Sequence, residues 1–298
     1  MAESLPDWQK SFLARNRLPD DYLSHALKWF GPLATALVEH QNSAARTLLV
    51  AVNGSQGSGK STLCDYLCSL LQADYGLASA SLSLDDFYLT ARERRHIALD
   101  IHPLLATRGA PGTHDMGLLS ATLDALLGGK PASIPRFDKS IDDRVPGSEW
   151  EQVTSPVQVV FLEGWCMGAM AQPVDELAEP VNALEVREDS DGRWRNYVNN
   201  SLAEHFSQLY RRVDRWVMLQ APSFDCVYQW RLEQEQKLAL TRSGNAIMSA
   251  AEIAHFIQFY QRLTEHCLVR LPARVDHLYR LDKQRRIQSY TSAAVANV

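Results

Sequence analysis

The sequence predicts an α/β fold with a central, mostly parallel sheet of five strands and helices on both faces. Two alternating patterns support this prediction: short apolar runs of strand length and longer stretches of helical periodicity. Runs such as 48–52 and 159–162 are continuously apolar, as expected of parallel strands covered on both faces. With 46% apolar residues among 298, the chain can bury a core of that size.

The individual elements follow from the same patterns. Because parallel strands are joined by right-handed crossovers, the intervening helices are expected to cover both faces of the sheet. Strands are expected at 47–52, 78–84, 157–162, 216–219 and 276–281, the last towards an edge of the sheet. Helices are expected at 63–71, 116–128, 197–212, 223–240 and 249–269.

One domain boundary is expected where the pattern changes, after residue 45. Residues 1–45 have helical periodicity and predict a peripheral N-terminal extension, which Gly31 and Pro32 would break or kink. The rest of the chain, 46–298, is expected to form one domain. Within it, 92–156 is a long polar insertion between two core strands, and insertions of this length are usually functional.

Composition argues against several classes of protein. The net charge of −5 is spread along the chain without a basic stripe for a nucleic acid, and the acidic stretch 185–193 is expected to be a solvated loop. The five cysteines include no Cys-x-x-Cys pair, which favours free thiols in a reducing compartment. No apolar run is long enough to span a membrane, and no secretory signal is evident. We therefore expect a cytoplasmic protein without a nucleic-acid or membrane partner.

One glycine-rich motif, Gly-x-x-x-x-Gly-Lys-Ser, follows the first strand and precedes an amphipathic helix. Its glycines let backbone N–H groups approach phosphate oxygens, and the helix directs its positive dipole end at the same anion. Lys60 would neutralise the β- and γ-phosphates, and the Ser61 hydroxyl would bind Mg²⁺. The motif predicts a P-loop NTPase fold that uses ATP and Mg²⁺. The predicted nucleotide-binding residues are Gly54, Ser55, Gln56, Gly57, Ser58, Gly59, Lys60, Ser61 and Thr62.

Carboxylates end two other predicted strands. Glu163 ends the third strand and could reach Mg²⁺, although it could also be a surface charge or lie at a helix N-terminus. Asp85 and Asp86 end the second strand, at the crevice where open α/β sheets bind ligands. One of them could accept the proton of an attacking hydroxyl, while the other caps a helix or orients its neighbour.

Two arginines bracket a polar stretch late in the chain. Arg231 and Arg242 could belong to a lid at about 231–249 that covers a triphosphate and stabilises transition-state charge. The same spacing fits solvated arginines on a helix equally well.

Further motifs resemble the phosphoribulokinase, uridine kinase and pantothenate kinase group of P-loop kinases, and within it the glycerate kinases most closely. The matching segments run in order from about 47 to 262. They include the P-loop, Leu-Asp-Asp-Phe-Tyr at 84–88, Gly-Thr-His-Asp at 112–115, Pro-Arg-Phe-Asp-Lys-Ser at 135–140 and Leu-Glu-Gly-Trp at 162–165. The Asp-Asp-Phe-Tyr and Glu-Gly-Trp blocks are more specific than the P-loop. The acidic stretch at 187–193 departs from the group.

This resemblance implies roles for particular residues. It implies that Asp85 is the general base, that Lys60 and Arg231 are also catalytic, and that Arg231 and Arg242 belong to a lid. It also implies that the insertion forms the acceptor site, where arginines and Lys139 could hold an acceptor carboxylate. The predicted acceptor-binding residues are Asp86, Tyr88, Arg108, His114, Asp115, Arg136, Lys139 and Arg144.

We therefore expect an ATP-dependent kinase whose acceptor is an alcohol group of a small metabolite. The resemblance implies D-glycerate as the acceptor and 3-phosphoglycerate as the product. A pantothenate- or uridine-type acceptor is an alternative, as is a regulatory P-loop ATPase without a small acceptor. Asp85, Asp86 and the long insertion argue against that ATPase. A GTPase switch is disfavoured because the guanine-reading motif Asn-Lys-x-Asp is absent from the sequence.

Overall fold

The computed structural model describes residues 5–239 and 248–293, and it alternates helices with strands as the sequence patterns predict. The helices are α1 (Asp7–Asn16), α2 (Tyr22–Ala44), α3 (Lys60–Tyr75), α4 (Ala91–Asp100), α5 (Met116–Leu127), α6 (Ala183–Glu188), α7 (Arg193–Ser201), α8 (Ser207–Tyr210), α9 (Phe224–Ala239), α10 (Ala250–Phe256) and α11 (Gln258–Arg270). The strands are β1 (Leu48–Gly54), β2 (Ser79–Ser83), β3 (Ala132–Ile134), β4 (Phe137–Asp138), β5 (Asp143–Arg144), β6 (Glu151–Val153), β7 (Val159–Gly164), β8 (Arg215–Gln220), β9 (His277–Leu281) and β10 (Ile287–Ser292).

The central sheet has the strand order β10-β9-β8-β1-β7-β2 and is parallel except at one edge. The predicted α/β fold with a mostly parallel sheet is confirmed, but the predicted number of five strands is wrong. The sixth strand, β10, pairs antiparallel with β9. Only Ile287 of β10 is buried, because an edge strand has a neighbour on one side alone. Its sequence is therefore mostly polar and carries no apolar run that would have revealed it.

The register of the parallel strands brings three strand ends to one edge of the sheet. Glu163 of β7 lies opposite Val52 of β1 and Ser83 of β2. The loops that follow β1 and β2 therefore leave the sheet beside Glu163. This edge is the crevice in which open α/β sheets bind ligands.

The N-terminal helices pack against the same hydrophobic core as the sheet. Phe30, Leu33 and Leu37 are buried on one face of α2 and belong to that core. A break or a kink was expected at Gly31 and Pro32, and the break does not occur, because α2 continues through both residues. Proline removes only one backbone donor, and burial of the apolar face holds the helix together across that position. None of the helices in the described ranges is both long and apolar enough to cross a membrane.

The insertion between β2 and β7 contains more strand than its sequence indicates. Helices α4 and α5 are accompanied by two short antiparallel pairs, β3 with β6 and β4 with β5. The second pair forms a hairpin, which we call the acceptor hairpin (residues 137–144). Each strand of the hairpin is two residues long, too short to produce a recognisable alternation in the sequence.

The prediction of a solvated acidic loop at 185–193 is wrong for Glu185 and Asp189 and for the part that belongs to α6, although most of the other residues of this stretch are exposed. Glu185 and Asp189 are both 0% exposed. The Glu185 carboxylate accepts hydrogen bonds of 2.8 and 2.6 Å from the Arg262 guanidinium. The Asp189 carboxylate accepts bonds from the backbone N–H groups of Trp194 and Arg195 at the start of α7, and from the Arg195 side chain. Buried carboxylates need such partners, and here a distant arginine and a helix N-terminus provide them.

Candidate active site

The P-loop joins β1 to α3 with a tight backbone turn. Gly57 and Gly59 have φ angles of 76° and 95°, in the left-handed region that favours glycine. A Cβ atom on Gly57 would also lie 3.1 Å from the Cβ of Trp230 in α9, closer than ordinary contact. The loop therefore packs against α9 and requires glycine at this position.

Two buried hydroxyls of the P-loop have no hydrogen-bond partner within the described residues. They are the Oγ atoms of Ser55 and Ser58. Buried polar groups normally have partners, so unpaired donors around a glycine-rich turn fit an absent anionic ligand. The turn also leads into the N-terminus of α3, whose backbone N–H groups favour an anion. These residues fit the phosphates of ATP.

The hydroxyl of Ser61 and the carboxylate of Glu163 lie together beside the P-loop. Ser61 Oγ donates a hydrogen bond of 2.7 Å to Glu163 Oε1, and Lys60 Nζ lies 3.6 Å from Glu163 Oε2. The Glu163 side chain is only 7% exposed. Hydroxyl and carboxylate oxygens are ligands that Mg²⁺ prefers, so this pair fits the predicted metal site.

Asp85 carries a carboxylate at the next strand end, and both of its oxygens have partners. Lys139 Nζ donates to Oδ2 at 2.6 Å, and the Tyr88 hydroxyl donates to Oδ1 at 2.8 Å. Burial alone would raise the pKa of Asp85, but the charges of Lys139 and Lys60 and the two hydrogen bonds outweigh burial. The pKa of Asp85 therefore lies well below its ordinary value, and the side chain is an anion.

Asp86 has a different environment from Asp85, although the two are adjacent in the short 3₁₀ helix Leu84–Phe87. Its carboxylate accepts hydrogen bonds from Arg136 Nη1 at 2.9 Å and from the Phe137 backbone N–H at 3.0 Å. Burial raises the pKa of Asp86, although both hydrogen bonds oppose that effect. Asp86 thus anchors the acceptor hairpin to the end of β2.

A cavity of about 620 Å³ connects the P-loop with the insertion. Its walls contain Gln56, Gly57, Gly59, Lys60, Ser61, Thr62, Ser81, Ser83, Asp85, Arg136, Lys139 and Glu163. The cavity brings together predicted residues of the nucleotide, metal, base and acceptor sites. Ser81 and Ser83 were not predicted. They alternate along β2 with buried Ala80 and Leu82. This alternation of small polar and apolar residues could have indicated that one face of the strand is open to a cavity.

The other predicted acceptor residues are absent from the walls of this cavity, and they are Asp86, Tyr88, Arg108, His114, Asp115 and Arg144. Arg108 pairs with Asp142. Arg144 pairs with Asp115, whose carboxylate also caps α5 by accepting from the backbone of that helix. In their present contacts these side chains hold the insertion together.

Tyr88 and His114 form an aromatic pair behind Asp85. Their ring centroids are 4.7 Å apart, and neither nitrogen of the buried His114 ring has a partner within the described residues. Burial lowers the pKa of His114 to about 4, against the opposing charge of Asp85. The ring is therefore neutral near neutral pH.

The predicted lid is only partly within the described residues. Arg231 lies on α9, where its guanidinium pairs with Glu235 at 2.6 Å and lies over the ring of Phe256. Its Nη1 atom is buried without a hydrogen-bond partner among the described residues. Arg242 lies outside them, within 240–247, so the predicted role of Arg242 stays a prediction.

Tyr260 of α11 is a residue near the site that sequence patterns did not single out. Its hydroxyl donates to the backbone carbonyl of Arg108 at 3.4 Å, and its ring packs edge-on against Trp165 at 4.8 Å. Burial and then the Asp85 charge raise the pKa of Tyr260. The apolar periodicity of α11 gives no sign of this position, because a buried core tyrosine produces the same pattern.

Fold and site together define a P-loop kinase, and comparison with known proteins gives its family. The model of the phosphoribulokinase / uridine kinase family matches residues 49–190. The uncharacterised kinase mug58 of Schizosaccharomyces pombe is 34% identical over 231 residues, which cover 72% of this chain and 79% of that protein. This chain belongs to the phosphoribulokinase / uridine kinase family and is an ATP-dependent kinase.

Two further similar proteins are both named D-glycerate 3-kinase. The chloroplastic D-glycerate 3-kinase of Arabidopsis thaliana is 32% identical over 226 residues, which cover 72% of this chain and 46% of that protein. The match thus spans less than half of the Arabidopsis protein. A solved structure of D-glycerate 3-kinase from Cryptococcus neoformans is 27% identical, with a TM-score of 0.72, and covers 87% of this chain and 96% of that chain.

Proposed function

We propose that this protein transfers the γ-phosphoryl group of MgATP to the primary hydroxyl of D-glycerate and forms 3-phosphoglycerate. The observation that carries the proposal is that Asp85 lies in the wall of the same cavity as Lys60 and Ser61. A base and a phosphate cradle within one cavity can hold a hydroxyl and a phosphorus atom in reacting positions.

The charges of the cavity suit an anionic acceptor. Arg136 and Lys139 line it on the side of the insertion, and cationic side chains of this kind hold carboxylates through charge-assisted hydrogen bonds. A carboxylate bound there would leave the hydroxyl at the other end of a three-carbon acid free to face the P-loop. The two relatives named D-glycerate 3-kinase support glycerate as that acid.

In the proposed reaction, the acceptor hydroxyl oxygen bonds to the γ-phosphorus while the bond from phosphorus to the bridging oxygen of ADP breaks. The hydroxyl proton passes to Asp85, which is ionised beforehand because its pKa is low. Lys60 offsets negative charge on the phosphates. Mg²⁺, when bound by Ser61 and Glu163, supplies additional positive charge at the phosphate oxygens.

The test is a screen of small hydroxylated metabolites for stimulation of ADP release from MgATP. We expect D-glycerate to stimulate release, and we expect Lys60→Ala to lower the stimulated rate by about 10²–10³ or more in a protein that still unfolds cooperatively. Stimulation by pantothenate or a nucleoside but not by D-glycerate would favour the alternative acceptors. ADP release that no acceptor changes would favour a regulatory ATPase.

A further inference from the structure

The contact between Lys139 and Asp85 occupies part of the carboxylate that a general base needs. Asp85 Oδ1 already accepts from Tyr88, and Oδ2 accepts from Lys139 at 2.6 Å. A hydroxyl that is to lose its proton to this carboxylate must itself donate to one of these oxygens. Each oxygen can accept a second hydrogen bond, but the Lys139 ammonium group competes for Oδ2 and stabilises its negative charge, so the base is partly covered and less reactive.

The covering contact is easily exchanged. The Lys139 side chain is 59% exposed, that of Asp85 is 28% exposed, and both line the cavity, so a carboxylate that enters the cavity can reach the ammonium group and compete for it. Lysine places its charge on a flexible four-carbon stem, so the ammonium group can move between two carboxylates without backbone motion. Tyr88, in contrast, is 2% exposed, and its ring packs against that of His114.

The hairpin that carries Lys139 is fixed at both ends. Asp86 accepts from the Phe137 backbone at one end. At the other end, the Asp142 side chain and backbone carbonyl accept from Arg94, whose side chain is 1% exposed. A movement of Lys139 is therefore a movement of its side chain over an anchored backbone.

The neighbouring arginines are committed to other carboxylates. Arg136 pairs with Asp86 and Glu151, and Arg108 pairs with Asp142. These pairs hold the insertion to the end of β2, so drawing an arginine away would disturb the walls of the cavity. Lys139 instead pairs with the residue proposed as the base, and its release would cost no anchoring contact.

On this basis, and resting on the proposed function above, we propose that the acceptor's own carboxylate draws Lys139 away from Asp85 and so uncovers the base. With D-glycerate bound, the ammonium group pairs with the substrate carboxylate, and Oδ2 of Asp85 becomes free to accept the hydroxyl proton as the bond to phosphorus forms. With a neutral acceptor, Lys139 stays on Asp85. Lys139 thereby selects for an acidic acceptor by coupling recognition of its carboxylate to activation of the base.

The test compares D-glycerate with D-glyceramide, in which a neutral amide replaces the carboxylate, in the wild type and in Lys139→Met. For D-glycerate, Lys139→Met should lower kcat/KM about 10- to 100-fold, because a charge-assisted contact is lost. For D-glyceramide, the same variant should raise kcat several-fold, because the base is no longer covered. Lys130→Met, at an exposed lysine after α5, is the matched control and should change neither rate.

Binding gives a second readout that does not depend on turnover. In calorimetric titrations with a non-hydrolysable ATP analogue and Mg²⁺, Lys139→Met should weaken D-glycerate binding and leave D-glyceramide binding unchanged. In the kinetic comparison, a lower kcat/KM for D-glycerate with no rise in kcat for D-glyceramide would make Lys139 a simple carboxylate contact and overturn the inference. An equal decrease in kcat/KM for D-glycerate and D-glyceramide would also overturn the inference. If the wild type does not phosphorylate D-glycerate at all, the proposed function fails, and the inference fails with it.

Discussion

Ser61 at the start of α3 and Glu163 near the end of β7 share a hydrogen bond of 2.7 Å from Oγ to Oε1, across 102 positions of sequence. The bond joins the P-loop to the neighbouring strand at the edge where the cavity opens. It also brings a hydroxyl and a carboxylate together at a position suited to Mg²⁺.

Replacement of Glu163 by glutamine should raise the Mg²⁺ concentration needed for half-maximal activity. The variant keeps the size of the side chain and its ability to accept from Ser61, but removes the negative charge. We expect a shift of about 10- to 100-fold, measured as ADP release during a Mg²⁺ titration. Glu149→Gln, at an exposed glutamate of the insertion, is the control. An unchanged Mg²⁺ requirement would exclude Glu163 from the metal site.

Substitution of Asp85 should affect turnover, whereas substitution of Asp86 should affect stability. Asp85→Asn should lower kcat by about 10²–10⁴ while ATP still binds, because the amide cannot accept the hydroxyl proton. Asp86→Ala should instead lower the free energy of unfolding by about 1–3 kcal/mol, because the Phe137 N–H and Arg136 lose their partner. Rapid-quench kinetics and urea unfolding measure the two effects. Near-normal turnover in Asp85→Asn would refute its role as the base.

His114 should make stability depend on pH in the acid range. Its pKa is lowered to about 4 by burial, whereas an unfolded histidine titrates near 6.5. Between these values the unfolded chain binds more protons, so stability falls as pH falls from about 6.5 to 4. The slope contributed by one residue is at most about 1.4 kcal/mol per pH unit. Urea unfolding of the wild type and His114→Phe at several pH values should show a shallower decline in the variant; identical declines would contradict the buried neutral ring.

The ion pair between Arg262 and Glu185 should be important for stability although it is remote from the P-loop cavity. Arg262→Met would leave the Glu185 carboxylate, which is 0% exposed, without its counter-charge. We expect a loss of about 3–5 kcal/mol in the free energy of unfolding by urea. Arg286→Ala removes an exposed pair with Asp282 and should leave stability unchanged within error. Equal losses in the free energy of unfolding for the two substitutions would contradict the expectation that the buried pair contributes more to stability than the exposed pair.

Sequence patterns anticipated the parts of the fold that depend on local periodicity. The strand before the P-loop, the helix after it and the strand ending near Glu163 all carry continuous apolar or helical patterns, and the structure contains each of them. Edge strand β10 and the short hairpin strands lack such patterns. These strands form because they pair with neighbouring strands in the folded chain, and a local sequence pattern does not indicate them.

Long-range pairing explains what the sequence left open at the candidate site. Asp85 and Asp86 are indistinguishable as residue types, and only the turn between 84 and 87 directs one to the cavity and the other to the hairpin. Lys139 reaches Asp85 across 54 positions. The burial of Glu185 likewise depends on Arg262, 77 positions away. No pattern within a sequence window contains these partners.

Phosphorus NMR of the products formed from MgATP and D-glycerate tests the proposed activity most directly. We predict signals of ADP and 3-phosphoglycerate with the wild type, and neither above background with Lys60→Ala. Formation of 2-phosphoglycerate would contradict the proposed orientation of the acceptor. Absence of any phosphorylated glycerate, with an active and folded enzyme, would contradict the assignment of D-glycerate as the substrate.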